Sequence, residues 1–198
     1  RLGVVLIGGG MPERSDDPAR PYNTSVVIGR GGELLGSYRK VHLFDVDLPD
    51  GTQLTESAGN SAGGEVAVVD VLGLRVGLSI CYDLRFPELF AQERELGAQL
   101  LTLPAAFTAT TGAAHWHVLL RARAIETQCY LLAAAQWGEH PRGRRTYGHS
   151  LVIDPWGVVL DERAEGLGFV CADVAPERVE QVRSSMPLAA HRRLGRPC

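Results

Sequence analysis

Lysine is almost missing from this sequence: of 20 basic residues, Lys40 is the single lysine and all the others are arginine. Wherever a generic cation sufficed, the chain used guanidinium. The one ammonium therefore asks for a chemical explanation, since a lysine amine is a compact donor whose pKa moves on burial while guanidinium stays planar and charged. Cysteine is sparse as well. Cys81, Cys129, Cys171 and Cys198 stand far apart, with no CxxC and no Cys/His clustering, which argues against a disulfide framework, a thioredoxin-like redox motif and a structural zinc site. His115 and His117 are two apart and so fall on different faces of a helix, a poor metal pair.

A basic field is lacking too. The net charge is −3 and the pI about 6.1, and nowhere do aromatics alternate with arginine along a patch, so nucleic acid is not an expected partner. No apolar run approaches the roughly 20 residues that span a bilayer. Arg1 to Ile7 passes directly into Gly8-Gly9-Gly10 without a signal-peptide cleavage pattern. These absences lead to the expectation of a soluble, cytoplasmic protein without a membrane partner. What is present, 198 residues of which 45% are hydrophobic, suffices for one core, and a single domain over 1–198 is expected.

Apolar periodicity predicts alternating strands and helices. Val4 to Ile7 reads as a buried strand, and Thr24 to Ile28 with Glu33 to Tyr38 as a hairpin that ends just before Lys40. Asp45 to Gly64, rich in Asp, Pro, Gly, Ser and Thr, is a candidate functional loop containing Glu56. Val66 to Val71 and Leu74 to Ile80 form a second hairpin that runs directly into Cys81. Helices follow at Pro87 to Leu96, His115 to Gln128 and Pro176 to Ser185; strands at Gln99 to Leu103, Tyr130 to Gln136 and Phe169 to Val174; and a hairpin at Ser150 to Asp161. The pattern is an α/β fold with a mixed sheet. The sequence opens on a core-like strand without an initiator Met, and it is expected to be truncated at its N-terminus.

Cys81 sits where an apolar strand meets a sharp turn, so the strand would hold the thiol while backbone N–H groups of the turn face a developing oxyanion. Read alone, it could equally be a small core residue, the reading kept for Cys129 and Cys171. Lys40 alone could be a solvated strand end, and Glu56 a surface carboxylate. Beside a thiol, however, a lysine stabilises the thiolate and donates to a tetrahedral intermediate. Arg85, four residues past Cys81, could pair with a substrate carboxylate in a bidentate fork. Phe107 and Thr108, at a strand end, are candidate pocket walls.

Together, Tyr38-Arg39-Lys40-Val41-His42-Leu43-Phe44-Asp45 and Ile80-Cys81-Tyr82-Asp83-Leu84-Arg85-Phe86-Pro87-Glu88 resemble the lysine and cysteine motifs of the nitrilase superfamily of carbon–nitrogen hydrolases. Ala114-His115-Trp116 with Leu119 to Tyr130, and Tyr147-Gly148-His149-Ser150 with Asp154-Pro155-Trp156-Gly157, resemble its Nit branch. The resemblance implies an αββα sandwich, homodimers or larger homo-oligomers, a Glu-Lys-Cys catalytic set and no metal or organic cofactor. Carried over, Cys81 attacks an amide carbonyl, Lys40 and the backbone N–H of Tyr82 hold the oxyanion, and Glu56 helps hold the lysine and the substrate. A small carboxylated linear amide is the substrate this branch implies. An ω-amidase, a carbamoylase or a non-catalytic truncated homologue are the alternatives. The family's general base is a glutamate in a Pro-Glu pair upstream of the strand that is Leu6 to Gly9 here. Pro12-Glu13 imitates that pair but follows this strand, so Glu13 is not assigned as the base, and the chain as written is expected to lack both a base and the sandwich's first strand and helix.

Overall fold

The structure, a computed structural model, describes residues 2–48, 51 and 53–194, without the side chain of Arg142; Cys198 lies outside them. Strands β1 (Leu6–Glu13), β2 (Tyr22–Ile28) and β3 (Leu34–Arg39) form an antiparallel sheet in that order. β1 runs on through Pro12 and Glu13, beyond the expected strand, because a bulge between Gly8 and Met11 re-registers it on β2. The polar stretch after Lys40 is more ordered than a loop: β4 (Asp45–Asp47) pairs with β5 (Gln53–Thr55), and a 3₁₀ turn follows at Glu56–Ala58.

β6 (Ala67–Val71) and β7 (Leu74–Leu78) join through Leu72 and Gly73, whose φ values of 51° and 85° suit a two-residue hairpin turn. After the 3₁₀ turn Cys81–Arg85, α1 (Pro87–Glu95) starts on proline, and Gly97 at φ 92° ends it. β8 (Leu100–Thr102), α2 (Ala109–Thr127) and β9 (Tyr130–Ala133) come next, and β7, β8 and β9 are mutually parallel. α2 begins ahead of the expected His115 because Thr108 caps it, its hydroxyl accepting from Thr111 N–H at 3.4 Å. A hairpin the sequence did not announce, β10 (Trp137–Glu139) with β11 (Arg145–Tyr147), precedes β12 (Ser150–Ile153) and β13 (Val159–Arg163). The larger sheet has the order β13-β12-β9-β8-β7-β6. α3 (Pro176–Ser185) follows, with Arg183 donating to Ala98 O at 2.6 Å just ahead of β8.

The expected strand at Phe169–Val174 is absent. That segment pairs with no strand among the described residues, and Leu167 and Phe169 are exposed. Cys171, expected in the core, is exposed for the same reason, whereas Cys129 is fully buried.

Side-chain alternation along β7 explains the layers. A Cβ on Gly77 would lie 2.8 Å from Glu93 Cδ, so that face looks at α1. Val76, one residue away, pairs with Val69 on the opposite face. There, a Cβ on Gly36 of β3 would meet Val69 Cγ2 at 2.6 Å. Helices and the three-stranded sheet therefore lie on opposite sides of the six-stranded sheet, the mixed α/β sandwich that was expected. No helix of the described residues is long and apolar enough to cross a membrane.

Glu93 itself is buried with neither carboxyl oxygen partnered among the described residues. Burial, aided by the nearby charge of Asp83, pushes its pKa well above the ordinary range. A carboxyl raised in the fold binds more protons folded than unfolded, so stability falls as pH rises above its unfolded value. Glu93→Gln removes that dependence: urea unfolding across a pH series should show a flatter profile and a more stable variant at the alkaline end. An unchanged slope would mean that Glu93 does not titrate in this way.

Candidate active site

The carboxyl ends of the parallel strands β7, β8 and β9 open onto a cavity of about 450 Å³. Cys81 comes from the end of β7, Pro104 to Ala106 from β8, and Ala134 and Gln136 from β9. The opposite wall is the three-stranded sheet, through the Gly9-Gly10 bulge, Asn23 and Lys40. Gly9 is required here, since a Cβ on it would lie 2.2 Å from Pro104.

Cys81 has φ 50°, the left-handed region that a non-glycine residue enters only when its surroundings hold it there. What holds it is visible. Cys81 N–H donates to Pro104 O at 3.0 Å, and Ser79 N–H and hydroxyl both donate to Thr102 O. Asp83, fully buried, accepts from Ile80 N–H at 2.8 Å, tightening the turn around the cysteine. The same carboxylate reaches the lysine strand: Tyr38 hydroxyl donates to it at 2.8 Å, His42 N–H at 3.1 Å, and His42 Nδ1 lies 2.7 Å away. Burial and the Asp83 charge push the Tyr38 phenol far above its ordinary range, so it stays a donor. His42 is further fixed by stacking on Phe86, centroids 3.7 Å apart.

Lys40 is 2% exposed, and its Nζ is ion-paired with Glu56 Oε2. That oxygen also accepts from Phe44 N–H at 2.7 Å, and Asn23 Nδ2 lies 3.4 Å from the other oxygen. Cys81, Lys40 and Glu56 thus line one cavity. Burial pushes the Cys81 thiol up, while the Lys40 charge and the Ala106 backbone N–H pull it down. Glu13 does not join them. Arg39 grips both its oxygens and Thr24 hydroxyl donates to it, holding its pKa near 2, too weak a base to take a thiol proton.

The remaining candidates are not among the residues lining this cavity. Arg85 Nη1 lies 3.1 Å from His115 Nδ1, and its guanidinium covers the Tyr82 and Phe107 rings. Tyr82 packs between Phe44 and Phe86, Phe107 is buried against Trp116, and Thr108 serves α2 as its cap. A second cation lining the cavity beside Lys40 is Arg144, from the unannounced β10–β11 hairpin. Asn23 and Gln136 were missed with it. Only the polar interruption at Gly138 to Arg145 in an apolar neighbourhood could have signalled that hairpin.

A half-buried thiol at a strained strand end, facing a buried ammonium–carboxylate pair, is an arrangement for nucleophilic attack on a carbonyl. The carbon–nitrogen hydrolase family profile matches residues 1–184. The chain belongs to the carbon–nitrogen hydrolase family. This hydrolase is 47% identical over 196 residues to the deaminated glutathione amidase of Synechocystis sp. (strain PCC 6803 / GT-S), an alignment covering 97% of this chain and 72% of that protein. The nitrilase and fragile histidine triad fusion protein of Caenorhabditis elegans superposes with a TM-score of 0.91 at 46% identity, over 96% of this chain and 47% of its own. An amidase from Nesterenkonia sp. AN1, seen with the acetamide moiety of fluoroacetamide added covalently at its active-site cysteine, superposes with a TM-score of 0.76 at 28% identity, over 95% of this chain and 67% of its own.

In this carbon–nitrogen hydrolase, Asp83 links Ile80, the residue before Cys81, to Tyr38 and His42, which flank Lys40 two residues away on either side, and this linkage generates a positioning test. Asp83→Asn should destabilise the fold by about 1–3 kcal/mol, because at least one buried donor then faces an amide N–H. It should also lower the alkylation rate of Cys81 while leaving that of exposed Cys171 unchanged. Equal alkylation of Cys81 in both proteins would dismiss the positioning role.

Proposed function

We propose that this carbon–nitrogen hydrolase cleaves a small linear amide carrying a carboxylate, releasing ammonia by way of a thioester on Cys81. The observation that carries the reading is the convergence of Cys81, Lys40 and Glu56 on one cavity of a size suited to a small molecule. Cys81 sulfur adds to the amide carbonyl carbon while a general base takes the thiol proton and delivers it to the leaving nitrogen. Lys40 Nζ and the Tyr82 backbone N–H stabilise the oxyanion. The C–N bond breaks, ammonia departs and the thioester remains; water then adds to it, and collapse frees the carboxylic acid and the thiol. Glu56 keeps Lys40 in place. The cysteine adduct in the Nesterenkonia amidase supports Cys81 as the nucleophile.

Deaminated glutathione is the proposed substrate, supported by the activity for which the Synechocystis relative is named. Arg144 adds a reason for a carboxylate: within the cavity Lys40 is neutralised by Glu56, so the arginine is a cation left over for the substrate. Assembly into homo-oligomers, which the family implies, is supported by Val118 and Ile125, exposed on α2.

Ammonia release from deaminated glutathione by the full-length gene product should exceed that from α-ketoglutaramate, and Cys81→Ala should abolish both. A reversed preference would favour the ω-amidase reading, and residual release in the variant would remove Cys81 from the chemistry. Fluoroacetamide should label Cys81 ahead of Cys171, as peptide mass spectrometry would show.

Arg144→Gln should raise KM for carboxylated amides about tenfold or more, the magnitude of a lost charge-assisted hydrogen bond, with little change for neutral amides. Should Arg85→Lys produce that selective rise instead, the carboxylate lies on Arg85 and its guanidinium must swing away from His115.

A further inference from the structure

Beyond the cavity, three polar side chains meet from separate elements: His117 on α2, His149 just before β12, and Glu162 on β13. His117 Nε2 lies 2.9 Å and His149 Nδ1 2.5 Å from the same oxygen, Glu162 Oε1, and the three atoms are all within 4.8 Å of one another. We propose that this trio is a binding site for one divalent transition ion of the zinc class, held by two imidazoles and one carboxylate, with water completing the coordination.

The donor set and spacing carry the inference. Imidazole suits zinc, cobalt and nickel, whereas magnesium and calcium want oxygen. Ligand atoms about 2.1 Å from a tetrahedral ion stand about 3.4 Å apart. The observed separations, from 2.5 Å to at most 4.8 Å, bracket that value, so small side-chain rotations open the trio around an ion. Without a cation, two ring nitrogens crowd one carboxylate oxygen. With one, both nitrogens and the oxygen point at the metal and each ring keeps its proton on the other nitrogen.

The frame is already built. His149 has φ 60°, and it is fixed on both sides, its N–H donating to Ala164 O at 2.9 Å and its carbonyl accepting from Trp116 Nε1 at 2.8 Å. Its ring stacks on Tyr147 at 4.1 Å and meets the His117 ring edge-on at 4.9 Å. The three side chains are 21–33% exposed, which leaves a path for an ion. An ion there would clamp residues 147–149 to α2. Tyr147 N–H donates to Phe107 O and Gly148 N–H to Gln136 O, so the clamp would stiffen one wall of the cavity.

The test is calorimetric titration of the purified Cys81→Ala protein with zinc chloride, the variant serving to remove the cavity thiol as a competing ligand. One equivalent should bind, and zinc should raise Tm. His117→Gln and Glu162→Gln should each weaken binding by more than about tenfold, since losing even an outer partner of a metal ligand costs that much. His191→Gln, changing an exposed histidine on the short helix Leu188–His191, should have no effect. Cobalt(II) should give the visible bands of a tetrahedral nitrogen–oxygen site. Absence of saturable binding, or binding that survives Glu162→Gln, would overturn the proposal and leave the trio as a hydrogen-bonded cluster. Glu162→Gln keeps the side chain's shape, so it decides the matter even if His117→Gln fails to fold.

Discussion

The Asp83 carboxylate is the interaction on which the site depends. It lies at the seam between the two sheets: one oxygen accepts from Ile80 N–H and Tyr38 hydroxyl, and the other accepts from His42 N–H with the His42 ring Nδ1 2.7 Å away. A buried carboxylate is tolerable only when its lone pairs are filled, and filling them here ties the turn of the thiol to the strand of the ammonium. The relative position of Cys81 and Lys40 is thus set by a hydrogen-bonded network rather than by apolar packing, which is less directional. Glu93 is the contrast. It lies near Asp83 without a donor among the described residues, and the fold tolerates it by shifting it toward its neutral form.

The backbone contributes a second constraint. Cys81 is delivered by a strand in a parallel set, so residues just past the carboxyl ends of β7, β8 and β9 line the same cavity. The Pro104 carbonyl that anchors Cys81 N–H is also the residue against which Gly9 packs with no room for a Cβ. A side chain at Gly9 would therefore move the anchor of the thiol, although it belongs to the other sheet.

Much of this was legible in the sequence, for physical reasons. Short apolar strands with turn residues at fixed places marked the β2–β3, β6–β7 and β12–β13 hairpins, and the strand ends located Lys40 and Cys81. The misses share a cause: they depended on tertiary partners. Phe169 to Val174 has a strand's apolar content, yet no neighbouring strand offers it a ladder. The first turns of α2 contain β-branched threonines and Gly112, poor helix formers, and form because Thr108 caps them and Tyr147 sits where a Cβ on Gly112 would be. Arg85 is near Cys81 in sequence, but a 3₁₀ turn carries it onto His115 and two aromatic faces. Arg144 is 63 residues from the thiol along the chain and reaches the cavity only through a hairpin that composition did not reveal.

The lone lysine finds its explanation in the same geometry. A buried ion pair rarely adds net stability, because desolvating both charges offsets their attraction, so Lys40 with Glu56 is poorly explained as a structural device. Guanidinium would satisfy Glu56 more fully by a bidentate fork, and this chain chose arginine for every other basic position. What guanidinium cannot do is fit a compact donor into a pocket 2% open to solvent while keeping N–H groups for a second oxygen. An ammonium has three donors on one atom; one engages Glu56, and under the proposed function the others serve the negative charge that would arise beside Cys81. The local charge balance fits that use: the carboxylate cancels the ammonium at rest, and the pair is best solvated when a further negative charge develops at the carbonyl under attack. Such a charge exists only during reaction, so the arrangement favours the transition state over the resting site.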